Sequence, residues 1–234
     1  MRRDLGMHLP DALWDRRLAS ADPYAPARAA MVQGQLRARG IHDARVLEAM
    51  AEVPRHVFVP PALASAAYVD APLPIGHGQT ISQPYIVALM LEALQLGPAA
   101  VVLDVGAGCG YQAAVLARLA RRVISVEIVP ELAQGARMRL ARLGIRNVEV
   151  VAADGSQGWA PEAPYDGIVV AAACPRVPRA LLDQLAEGGR LVAPVGSTVV
   201  QTLVRIVRMD GRTFEEDLGG CQFVPLTGAA GWGH

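Results

Sequence analysis

The sequence predicts an α/β domain: a doubly wound, mostly parallel sheet with helices on both faces, carrying an N-terminal helical cap and an antiparallel strand near the C-terminus. Three observations predict it. Val101 to Leu103 read as a strand buried on both faces, and three alternate glycines, Gly106, Gly108 and Gly110, follow almost at once. Beyond them, short β-branched runs alternate with longer amphipathic ones, the pattern of a parallel sheet joined by crossover helices. A chain of 234 residues is long enough for one such domain with an elaboration at one end.

Residues 1–27 are proline-broken and charged and read as an N-terminal extension, with at most a short helix near Leu13 to Ala19. Residues 28–234 form the domain proper, with 28–97 a helical cap and site loop and 98–234 the ligand-binding sheet and C-terminal strands. Ala29, Met31, Val32 and Leu36 share one face of a helix from Arg28 to Arg39 that Gly40 stops, and Asp43 caps a second helix reaching Val53. Pro72-Leu-Pro-Ile-Gly-His-Gly-Gln-Thr-Ile-Ser82 breaks regular structure and makes a loop suited to a site. Pro84 fits the first turn of the next helix, with Ser82 or Gln83 at its cap.

After the glycine turn the expected order is helix Tyr111 to Leu119, strand Arg122 to Glu127, helix Pro130 to Leu143, strand Val148 to Ala152 and strand Asp166 to Ala171. A helix from Pro178 to Ala186 should end at Gly188-Gly189. Strands Arg190 to Val195 and Val199 to Val207 follow, the second antiparallel across the tight Gly196-Ser-Thr connection, with a last piece near Phe223.

The glycine spacing selects among nucleoside ligands. A dinucleotide fingerprint needs another glycine where Tyr111 stands, which weakens a nicotinamide reading. Asp104 at the base of the turn suits a cationic ligand such as a sulfonium-bearing amino acid, and Glu127, at the tip of the next strand, can chelate ribose hydroxyls. Asp154-Gly155 puts another carboxylate at the same sheet edge, where it either meets an adenine amino group or closes an Asx-turn. Ser82 has no His or Asp at a fixed spacing, so a covalent serine mechanism is poorly supported, and a helix cap is its bland alternative. His56 and His77 show no metal spacing, and Cys109 reads as a small packing residue.

Charge and cysteine usage narrow the classes further. The 22 basic residues, all arginine, balance 22 acidic ones, so the chain presents no electrostatic footprint for nucleic acid or an anionic membrane. No apolar run reaches the roughly 18 residues of a membrane span, and Met1-Arg-Arg does not lead into a secretory signal. Three scattered cysteines indicate neither a disulfide framework nor a zinc site, and leave a reducing cytoplasm and a monomer as the defaults.

Several blocks together resemble the protein-L-isoaspartate O-methyltransferases, from about Met31 to Leu226. They are Arg39-Gly-Ile-His-Asp-Ala-Arg-Val-Leu47, Val53-Pro-Arg-His-Val-Phe-Val-Pro60, Tyr68-Val-Asp-Ala-Pro-Leu-Pro-Ile-Gly76, Gln79-Thr-Ile-Ser-Gln-Pro-Tyr85, Gly110-Tyr-Gln-Ala-Ala-Val-Leu116, Gly188-Gly-Arg-Leu-Val-Ala-Pro-Val-Gly196 and Phe223-Val-Pro-Leu226. The glycine turn is shared by methyltransferases generally, whereas Thr80-Ile-Ser82 is specific to this family.

The resemblance implies a Rossmann-like methyltransferase fold and methyl transfer from S-adenosyl-L-methionine to the free carboxylate of isoaspartyl residues in damaged peptides and proteins. The ester would then cyclise to a succinimide. It further implies that Ser82 stands beside the reacting carboxylate, that Gln79, Thr80 and Ile81 line the cofactor with it, and that Asp104, Gly106, Gly108, Gly110, Glu127, Asp154, Gly155 and Thr227 complete the cofactor site. The family more often has Ser or Thr at position 109 and Arg at 222, where this chain has Cys109 and Gln222. A carboxylate is already ionised at neutral pH, its unperturbed pKa being roughly 4, so the chemistry needs no general base. Two other readings fit parts of the sequence: a carboxylate methyltransferase for Asp in one dedicated precursor peptide, and a nucleoside-binding regulator without turnover.

Overall fold

The computed structural model describes residues 22–232. The helix expected at Leu13 to Ala19 lies outside them. Helix α1 (Ala25–Ala30) runs on through a π-helical turn, Met31–Leu36, and a 3₁₀ turn, Arg37–Arg39, to Gly40 at φ +95°. It therefore begins inside the segment assigned to the extension. Asp22 pairs with Arg28 at 2.6 Å and the Tyr24 ring stacks 4.4 Å from His56, so residues 22–27 pack as part of the cap.

Asp43 caps helix α2 (Ala44–Glu52) as expected, accepting from Arg45 N at 2.8 Å and Val46 N at 3.3 Å. Arg45 then donates to Leu96 O and Leu119 O, fixing the cap to the sheet domain. The loop from Pro72 to Ser82 holds a hairpin the sequence reading did not resolve: strand β1 (Leu73–Gly76) pairs antiparallel with β2 (Gln79–Ile81). His77 and Gly78, both at positive φ, make the two-residue turn. Helix α3 (Pro84–Leu94) starts at Gln83 without a side-chain cap, which leaves Ser82 outside the capping role.

The remaining elements are β3 (Val101–Val105), α4 (Tyr111–Leu119), β4 (Arg122–Glu127), α5 (Pro130–Arg142), β5 (Val148–Ala152), β6 (Tyr165–Val170), α6 (Arg179–Asp183), β7 (Leu185–Gly196), β8 (Gln201–Met209) and β9 (Arg212–Cys221). Seven strands form one sheet in the order β5-β4-β3-β6-β7-β8-β9, parallel from β5 through β7 and antiparallel thereafter. Side chains alternate between the faces: Val102, Val123 and Val169 join the core under α4 and the cap, while Leu103, Ile124, Val126 and Ile168 join the opposite core with Leu181 of α6.

Two expectations near the C-terminus fail for local reasons. The helix predicted from Pro178 to Ala186 is short, and Gly188-Gly189 lies within β7 instead of ending it. The β6–β7 register slips there, and a Cβ on Gly189 would meet Tyr165 O at 3.0 Å, so the glycines serve a bulge against β6. The segment near Phe223 is no strand beyond an isolated bridge at Pro225; the last strand is β9, joined to β8 by Asp210-Gly211, both at positive φ. That Asp-Gly pair is a hairpin signal present in the sequence.

Candidate active site

Chain order runs outward from β3 to β5 and then jumps back to β6 on the other side of β3, so β3 and β6 flank the switch point of the sheet. Ligands of open α/β sheets bind at the carboxyl ends of strands there. A cleft opens at this place. Gly106, Gly108, Glu127 and Gly155 line it from the sheet side, Gln79 to Ser82 from the hairpin, and Thr227 from the C-terminal segment.

The three turn glycines all have positive φ, and Gly110 shows why side chains are excluded: a Cβ there would stand 3.1 Å from Ala136 Cβ in α5. Gly110 itself packs behind the turn and does not line the cleft. Glu127, 5% exposed, accepts from Gly108 N at 2.7 Å and from Val129 N at 2.9 Å, so its carboxylate is aimed by main-chain donors on both sides of the cleft floor.

Asp104 departs from its expected place. Strand alternation puts it on the α4 side of β3, fully buried, where it accepts from Gln112 Nε2 at 2.8 Å and Ser125 Oγ at 2.7 Å. Burial pushes its carboxyl up to about 6 against those two bonds. It braces the glycine turn from behind and does not face the cleft, so of the two carboxylates the one that lines it is Glu127. Asp154 also stands outside the lining. It accepts from Ser156 N and Oγ, an Asx-turn, and from Ala229 N at 2.8 Å, which ties down the C-terminal turn. Burial alone would raise its carboxyl, but the bonds from Ala229 and Ser156 outweigh it and hold it below the ordinary value.

A second groove adjoins it at the hairpin, and Thr80, Ser82, Ala171 and Val224 line both spaces. Gln222 and Phe223 belong to its wall, as do Tyr85 and Leu218. Sequence reasoning missed Ala171 and Val224. Ala171 was within reach, because it follows the end of β6 at the switch point, whereas Val224 reaches the site only through the bridge from Pro225 to Ala173. Cys109 lines the cleft but is 3% exposed, and burial raises its thiol, which keeps it a neutral packing group. His56 sits in the cap against Tyr68, and His77 tips the hairpin. Among the described residues no helix is long and apolar enough to cross a membrane, and no cluster of three or more His, Cys, Asp or Glu could hold a metal.

Comparison with known proteins identifies the family. A family model described as protein-L-isoaspartate(D-aspartate) O-methyltransferase matches residues 27–231. The protein-L-isoaspartate O-methyltransferase of Methanoculleus marisnigri is 57% identical over 212 residues, covering 91% of this chain and 96% of that one. Its counterpart from Geobacter metallireducens is 54% identical over 208 residues, covering 88% and 96%. Among solved structures, a Plasmodium falciparum protein-L-isoaspartate O-methyltransferase in complex with S-adenosyl-L-homocysteine superposes with a TM-score of 0.75 at 29% identity, covering 86% of this chain and 98% of that one.

Proposed function

Because this chain belongs to the protein-L-isoaspartate(D-aspartate) O-methyltransferase family, we propose that Thr80, Ser82, Ala171 and Val224 frame a window between a donor cleft and an acceptor groove. The enzyme transfers a methyl group from S-adenosyl-L-methionine to the free carboxylate of L-isoaspartyl residues in damaged proteins and peptides. The ester then closes to a succinimide, which begins repair. A dedicated precursor peptide is not favoured, since relatives above half identity carry the isoaspartate name.

The residues present fit the cofactor. The positive-φ glycine turn brings main chain to the cleft floor, and Gly155 packs directly on β3, where a Cβ would stand 2.7 Å from Val105 Cγ1, so the main chain itself forms the cleft wall there. Glu127 would hold the ribose, Gly106 and Gly108 would lie along the amino-acid arm, and Thr227 would close the far side. Asp104 and Gly110 support this indirectly, by fixing the turn; Asp154 supports it by anchoring the segment that carries Thr227. When bound, S-adenosyl-L-methionine would supply an electrophilic sulfonium methyl, which passes to a carboxylate oxygen as its C–S bond breaks and S-adenosyl-L-homocysteine leaves as a neutral thioether.

What the chain itself contributes is alignment and the exclusion of water. Ser82 orients an already ionised carboxylate by a hydrogen bond, without taking a proton, and the buried Ile81 and half-buried Gln79 seal the donor side from the groove. One chain supplies both walls, so the reading needs no second copy. Three free cysteines, two of them buried, suit a reducing cytoplasm.

The window between the two spaces carries this reading, and labelled methyl transfer to matched isoaspartyl and aspartyl peptides tests it. Only the isoaspartyl peptide should gain a base-labile ester. Ser82→Ala should lower that transfer by roughly tenfold or more while S-adenosyl-L-homocysteine binds as before. Unimpaired transfer by the variant would remove Ser82 from the acceptor site.

A further inference from the structure

Behind Ser82 stands a buried cation that the chemistry above leaves unused. Arg55 opens the 3₁₀ turn Arg55–Phe58 after Pro54 and is 0% exposed. Its Nε donates to Ala67 O at 2.7 Å and its Nη2 donates to Ser82 O at 2.8 Å. Its guanidinium carbon lies 4.8 Å from the centroid of the Tyr111 ring, the residue that opens α4 after the glycine turn. Nη1 has no hydrogen-bond partner among the described residues, and no carboxylate there pairs with the group.

This arrangement is unusual on energetic grounds. A guanidinium stripped of water is strongly unfavourable unless an anion or a full set of acceptors compensates it. Burial lowers the Arg55 pKa below the usual arginine value, yet the group stays protonated at any physiological pH, so the charge cannot be shed. Two other arginines of the cap have a counter-ion: Arg28 pairs with Asp22, and Arg39 pairs with Asp70. Two carbonyl acceptors and one aromatic face leave Arg55 short of a counter-charge. The acceptor that docks at Ser82 is an anion, and its methyl ester is neutral.

We propose that Arg55 is the charge-selecting and positioning residue of the acceptor window: it fixes the Ser82 main chain and gives the window a positive potential that admits an ionised carboxylate and releases the neutral ester. The inference rests on the window reading. Because a carboxylate loses its charge as the methyl arrives, a cation behind it favours the bound substrate over the transition state. Arg55 therefore acts on KM more than on kcat. A merely structural fork would weaken all peptides alike.

The test compares an isoaspartyl peptide with its isoasparaginyl amide, equal in shape and neutral, bound to the enzyme saturated with S-adenosyl-L-homocysteine. Wild type should hold the isoaspartyl peptide about tenfold more tightly or better, as a positive potential in a water-poor site requires. Arg55→Gln should bring the two affinities within about twofold and raise KM more than it lowers kcat, whereas Arg55→Lys should keep most of the discrimination. Equal affinities in wild type, equal loss of both peptides in Arg55→Gln, or Arg55→Lys matching Arg55→Gln would each overturn the inference. If Arg55→Gln does not fold, the wild-type ratio and Arg55→Lys still decide it. Failure of the window itself reads out elsewhere, as normal transfer by Ser82→Ala.

Discussion

The donor and acceptor sides of the site are built by different means. The donor side consists of the ends of neighbouring parallel strands and the turn after β3, with Glu127 aimed by Gly108 N and Val129 N. The acceptor side is a short hairpin and a helix start held by contacts from far along the chain. Asp70 accepts from Gln83 Nε2 at 2.7 Å and Tyr85 N at 3.1 Å, and Arg55 reaches Ser82 O. A site half built on a sheet edge keeps its geometry from backbone pairing, while a hairpin of this length is not stable alone and borrows order from side chains. The difference teaches that cofactor binding and acceptor binding should respond to separate sets of mutations.

Four changes would break or sharpen this contrast. Gly110→Ala should have the largest effect, because it combines a positive φ with a Cβ 3.1 Å from Ala136. We expect roughly 2–4 kcal/mol of lost stability, from the strain and the overpacking together. Chemical denaturation checks it, and a loss below about 0.5 kcal/mol would mean that α4 and α5 shift apart freely. Glu127→Ala comes next and should weaken cofactor binding by roughly 1–3 kcal/mol, the cost of leaving ribose hydroxyls poorly paired. Peptide KM at saturating cofactor should stay where it was, and calorimetric affinity equal to wild type would refute the ribose role.

Asp104→Asn sharpens the donor side through pH. The Asp104 carboxyl is raised in the folded state to about 6, so its contribution favours folding at low pH and is lost as pH rises through that value. The asparagine variant should therefore lose this slope and gain on wild type between pH 4 and pH 7 by on the order of 2 kcal/mol. Parallel melting curves for the two proteins across that range would show that Asp104 does not titrate there. The smallest expected change is on the acceptor side. Asp70→Ala should raise the isoaspartyl peptide KM by about fivefold, equivalent to about 1 kcal/mol, and leave S-adenosyl-L-homocysteine affinity alone. A matching loss of cofactor affinity would erase the separation between the two sides.

The structure also bears on the two departures from the family pattern. Cys109 fills a buried position in the turn, where its neutral thiol packs without hindering the cleft. Gln222 stands in the acceptor groove wall, so the missing arginine alters the peptide side and leaves the donor cleft intact.

Much of the donor side was legible in the sequence. Short apolar runs gave β4 and β5 at their observed bounds and the start of β3, which runs two residues beyond Leu103, and the alternate glycines with Glu127 located the cleft. Asp104 was legible as important but not as buried, because whether its face of β3 meets ligand or helix depends on where α4 lies. The acceptor side was visible chiefly as a family motif at Thr80 to Ser82. Its hairpin was hidden by prolines and glycines that read as loop, and β9 was hidden by charged residues on an exposed edge.

The sequence by itself determined the order of elements from β3 to β6, the glycine turn and the class of ligand, since these rest on local periodicity and on backbone conformations that only particular residues adopt. Tertiary structure alone decided that Asp104 braces and Asp154 anchors, that Val224 lines the same two spaces as Ser82, and that the buried Arg55 reaches Ser82 O. Those outcomes depend on which distant segments share a neighbourhood and how much water they exclude, and no local pattern encodes either.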